Sequence, residues 1–134
     1  MKVSLGKFPE DMSGRKISIK IHEYDSWNCD VTLAMIAVPL LKQLAKQKQG
    51  VPSFCIPESY DYDGNDEIAL KIGQDKWDTI LRHMIWSMEQ ILDEEFDIFK
   101  VKGYEMNWNA YWAYMEQVDT GLELFGKHFR SLWS

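Results

Sequence analysis

Cysteine is scarce in this chain. Two residues, Cys29 and Cys55, make up the whole complement, with no CxxC pair and no spacing of a zinc site. A disulfide framework is thereby excluded, and a reducing compartment fits best. Long apolar runs are also missing. The longest, Val31–Leu41, is interrupted only by Thr32 and Pro39 and falls short of the roughly 20 residues that cross a bilayer. The first residues, M-K-V-S-L-G-K-F, lack the apolar core of a signal peptide, so a cytoplasmic setting is expected. Catalytic signatures are absent: there is no HExxH, GxSxG, P-loop or GxGxxG. Asp61, Asp63 and Asn65 begin like a calcium loop. Asp66 then stands where glycine is required, and Ile72 stands where the bidentate glutamate belongs. No metal or other cofactor is expected. Basic charge is in deficit too: the net is −6, which argues against general nucleic-acid binding.

The charge is uneven. Residues 1–22 carry five cations against Glu10 and Asp11, a local net of +3, while residues 58–97 carry twelve acids against Lys71, Lys76 and Arg82, a local net of −9. Six Trp, six Tyr and six Phe make aromatic packing or stacking a main theme.

The 134 residues suit one domain. The pattern predicts an α+β, mostly helical fold: an N-terminal β-hairpin followed by three long helices packed as a bundle. Residues 1–22 are the hairpin, because Ile17, Ile19 and Ile21 alternate with Lys16, Ser18 and Lys20. A lone hairpin is marginal, so it must lie on helices or pair with another chain. Residues 25–48 form the first helix, capped by Asp25 or Ser26, bent at Pro39 and stopped by Gly50. Apolar all round in its middle, it reads as the buried central rod. Residues 50–73 are a long connection that contains Phe54, Tyr60 and Tyr62 and reads as a lid. Residues 74–99 form the second helix, with Trp77, Leu81, Met84 and Met88 on one stripe. Residues 104–133 form the third, where Trp108, Tyr111, Met115, Val118, Leu122, Phe125 and Phe129 make a heptad seam that wants a helical partner.

Two aromatics stand out. Trp86 projects opposite the Trp77 stripe, amid Arg82, His83 and Glu89, and is an interface anchor, a residue packed beneath a second layer, or a stacking platform. Trp27 is either a core anchor or a ring beside the free N–H groups of a helix start, a natural anion site. Asn28 and Asp30 share that turn. His22, Asp25 and Asp30 are close enough for a metal or acid/base role, although the preferred reading makes Asp25 a cap and His22 a strand end.

The motif D-S-W-N-C-D-V-T-L-A, followed by P-L-L-K-Q-L, resembles a family of small proteins encoded by large tailed bacteriophages. The resemblance extends to R-K-I-S-I-K-I, to W-D-T-I-L-R-H-M-I-W-S-M-E-Q and to G-L-E-L-F-G-K-H-F-R-S-L-W, and so covers most of the chain. The family pattern is D-x-W-x-x-D-H-T-L-A, and here Val31 replaces its histidine. The resemblance implies a setting in the cytoplasm of an infected host cell. The expected function is a non-catalytic accessory protein, a homo-oligomer through the hairpin or the heptad helix. It would bind and sequester a small nucleotide-like immune signal. Trp27 or Trp86 would stack on the base, Asn28 and Arg82 would hold phosphate, and Asp30 or Glu89 would accept from base or ribose. Two alternatives stay open: an inhibitor that binds a host protein through an acidic surface, and a small hydrolase acting on a nucleotide.

Overall fold

Trp77, Leu81 and Met84 are wholly buried, and all three belong to the helix Glu67–Leu92. The computed structural model describes residues 1–11, 13–58, 66–93, 100–102 and 105–134. Strands β1 (Lys2–Leu5) and β2 (Ile17–Lys20) are followed by helices α1 (Cys29–Gln47) and α2 (Glu67–Leu92). Short strands β3 (Lys100–Lys102) and β4 (Glu105–Met106) then precede α3 (Trp108–Lys127). The mostly helical α+β class with an N-terminal antiparallel hairpin is the one the sequence implies. The chain divides into two compact units, Met1–Leu33 and Ala34–Ser134.

In the first unit β1 and β2 pair antiparallel, Val3 opposite Ile19 and Leu5 opposite Ile17. Those four apolar residues share one face and all are exposed. The Gly6 N–H continues the ladder to the Lys16 carbonyl at 2.8 Å. Arg15 donates from Nε to the Gly6 carbonyl at 2.6 Å and lies over the Phe8 ring. A 3-10 turn, Glu23–Ser26, follows. Asp25 closes it by accepting from the His22 N–H at 2.7 Å, and its carboxylate lies 3.0 Å from the Met1 ammonium. That N–H first, then the ammonium, holds the Asp25 carboxyl below the usual carboxylate range. Asp25 thus caps this turn rather than α1, which begins beyond it at Cys29.

In the second unit α2 is the centre. Eight of its residues are buried, against three of α1: Ala34, Val38 and Leu41. This corrects the expectation that the first helix is the buried rod. Its composition is apolar all round, but only one of its faces meets the core; Met35, Ile36 and Leu40 stay in solvent. α1 runs through Pro39, which offers no N–H to the Met35 carbonyl. Lys42 pairs with Glu89 and Lys48 with Asp78, so α1 and α2 run antiparallel.

α2 starts at Glu67, earlier than the expected Gln74, because Asp66 caps it: its carboxylate accepts from the Ala69 N–H at 3.0 Å. Gly73 is no break. It sits inside α2 where the chain after α1 crosses, and a Cβ there would stand 3.0 Å from Val51 Cγ1. The expected end at residue 99 lies outside the described residues, and α2 is described to Leu92. Likewise α3 begins at Trp108 rather than Tyr104, because the Asn107 side chain accepts from the Ala110 N–H at 3.1 Å. It ends at Lys127, and a 3-10 turn, Phe129–Ser131, replaces the last expected turns.

Candidate functional site

Of the six residues singled out as ligand contacts, Trp27, Asn28 and Asp30 fall in the first unit and Arg82, Trp86 and Glu89 in the second. In the first unit Trp27 is 78% exposed. Its indole meets the Tyr24 ring edge-on at 6.4 Å, and Tyr24 stacks on His22 at 5.2 Å and 12°. Three rings therefore form a short array just ahead of α1. Trp27 is no core anchor, and Asn28 and Asp30 beside it are exposed. The Asn28 carbonyl accepts from the Thr32 N–H at 3.0 Å as α1 begins.

In the second unit the other three side chains are engaged within the fold. Trp86 is half-buried, 6.0 Å from His83 and 5.8 Å from Tyr114, which meets it edge-on. It projects away from the Trp77 stripe, as its helix position implies, because α3 packs on that side. Glu89 pairs with Lys42. Arg82 donates weakly to the Asp78 carbonyl and to Thr79, both at 3.4 Å. The α2–α3 seam is closed by polar contacts. His83 Nε2 donates to the Gln117 carbonyl at 2.9 Å, and the Tyr114 hydroxyl donates to Gln90 at 2.8 Å.

Two features of the second unit were not foreseen. One is an aromatic box in the core. The His128 ring stacks on Phe54 at 4.4 Å and 10°, and both meet Trp77 edge-on. Burial first, then Lys127 and Lys76, pushes the imidazole below its ordinary value. Phe54, 41% exposed, therefore packs at the edge of the core; residues 59–65, with Tyr60, Tyr62 and the calcium-like aspartates, lie outside the described residues. Trp77 Nε1–H is buried with no partner among the described residues.

The other is an open groove of about 380 Å³. Ala37, Leu40 and Leu44 of α1 form one wall, and Phe125, Phe129 and Leu132 form the other. Gln43 and Gln47 also line it, and no charged side chain does so among the described residues. Leu40 is 67% exposed and Phe129 61%. The sequence carried a signal for it: an uncharged stretch from Val31 to Leu41 has more apolar faces than one core contact can use.

Among the described residues no group of three His, Cys, Asp or Glu side chains is placed to hold a metal ion, and no helix is long and apolar enough to cross a membrane. No protein-family model, curated protein or solved structure matches this chain.

Proposed function

We propose that this chain is a non-catalytic binding protein that works as a homo-oligomer, with the α1–α3 groove as its contact with a second copy. The groove is the observation that carries the reading. A chain of net charge −6 repels its own copies, and the groove is a face where no like charges meet. Leu40 lines the groove and is 67% exposed, so a two-fold axis near it would seat each copy's Leu40 in the other's groove. Native mass spectrometry of the wild type beside Leu40→Glu tests it, since a charge at this exposed position breaks the contact without touching the core.

A second reading is favoured by one observation, the exposed ring array. A small planar ligand, such as the base of a nucleotide-like signal, would stack on Trp27, with Asn28 and Asp30 beside it. Sequestration of that ligand needs tight binding and no turnover, in keeping with the phage resemblance. Trp86, packed on Tyr114, and Glu89, paired with Lys42, take no part in this version, and neither does Arg82. Calorimetric titration of a nucleotide panel tests it.

A further inference from the structure

We infer that the outer face of α3 is a docking site for an arginine-rich segment of a partner protein. Trp108, Trp112, Glu116, Asp119 and Glu123 share that face. At 3.6 residues per turn they fall within an arc of about 80°, opposite the buried Val118 and Gly121, and they extend over about 22 Å. The two indoles are 56% and 63% exposed. Their rings are stacked on each other, 6.4 Å between centroids at 28°, and Tyr111 meets both edge-on. The three carboxylates follow the indole stack along the helix, and none pairs with a cation among the described residues.

Charge and ring chemistry together choose the occupant. An indole face attracts a cation, and a planar guanidinium can also stack on it. The same guanidinium pairs bidentately with a carboxylate, which an ammonium cannot do. A second copy docking by the same face would bring the same three carboxylates against these, and anionic lipid or nucleic acid would meet the same repulsion. The face is separate from the α1–α3 groove, which takes its α3 residue, Phe125, from the inward side. It therefore stands whether or not the groove joins two copies.

The test is fluorescence anisotropy of labelled oligo-arginine and oligo-lysine, each about nine residues, long enough to follow the face at roughly 3.3 Å per residue. They are titrated into the full chain at about 150 mM salt. Oligo-arginine should bind about fivefold or more tighter than oligo-lysine. The pair Trp108→Ala and Trp112→Ala should lower its affinity about tenfold, with the melting temperature unchanged. Changing Glu116, Asp119 and Glu123 to their amides should weaken both peptides and flatten the salt dependence. Should the indole pair fail to fold, shielding of wild-type indole fluorescence from acrylamide by oligo-arginine, and not by oligo-lysine, gives the same answer. Equal affinity for the two peptides, or an unaltered affinity in the folded indole pair, would reduce the effect to net charge and overturn the proposal. So would concentration-dependent shielding of the indoles in Leu40→Glu, whose groove contact is broken, which would assign the face to a second copy.

Discussion

Gly121 of α3 lies against Ser87 of α2 so closely that a Cβ on the glycine would stand 1.8 Å from the Ser87 Oγ. The same Cβ would meet the Ser87 Cβ at 2.6 Å and the His83 carbonyl at 2.7 Å. Both residues are buried. This is where the two helices approach most tightly, and the hydroxyl of Ser87 finds the Gln117 carbonyl at 3.4 Å. Gly121→Ala should therefore force the helices apart. Overpacking of this kind costs about 3 kcal/mol, and the melting temperature should fall by roughly 10 °C. Adding Ser87→Gly removes two of the three clashes but not the backbone one, so it should restore part of the loss. Thermal melts of the single and double variants check this.

His128 gives the second unit a titration of its own. Its pKa in the folded chain lies below the ordinary 6.5, because burial and the neighbouring Lys127 and Lys76 disfavour the cation. In the unfolded chain the ring takes up its proton at the ordinary value. Between the two the unfolded state binds more protons, so stability is full above about pH 7 and falls as pH drops below about 6.5. The loss levels off once pH passes the folded value. His128→Phe keeps a ring on Phe54 and removes the proton site. Urea midpoints from about pH 7 to about pH 5 should slope for the wild type and be nearly flat for this variant, apart from carboxylate effects at the acid end.

Trp27 is the clean probe of the ligand reading. With its ring in solvent, Trp27→Ala should leave the melting temperature within about 1 °C, as surface changes do. If a base stacks there, affinity in calorimetry should fall roughly tenfold or more, while Trp86→Phe leaves it unchanged. Equal binding by the wild type and Trp27→Ala would remove the ring array from any ligand site.

Patterns of one element were legible in the sequence, and partnerships between elements were not. Alternation at Ile17 and Ile19 gave away the hairpin, and the Trp77, Leu81, Met84 and Met88 stripe gave away the buried side of α2. Reading residues 50–73 as one connection hid the start of α2 at Glu67 and its cap at Asp66, because a cap is a single side-chain contact that no periodicity marks. The heptad spacing placed Trp108 in the seam, whereas more than half of it is exposed. A seven-residue repeat drifts about 20° per heptad on a straight helix, so over the length of α3 the first member of the pattern leaves the face that Val118 and Gly121 hold. The stack of His128 on Phe54 joins residues too distant in the chain for any periodicity to connect. The apolar first helix shows the same limit: its composition announced more than one buried face but could not say that α2 covers only one.

The claim that a second copy covers the rest rests on the groove around Leu40. Sedimentation velocity of the wild type and Leu40→Glu over the same dilution series tests it most directly. The account expects the wild type to move from 15.8 kDa towards a dimer as concentration rises, and Leu40→Glu to stay at the monomer mass with an unchanged melting temperature. A wild type that remains monomeric throughout, or a Leu40→Glu variant that associates as the wild type does, would contradict it.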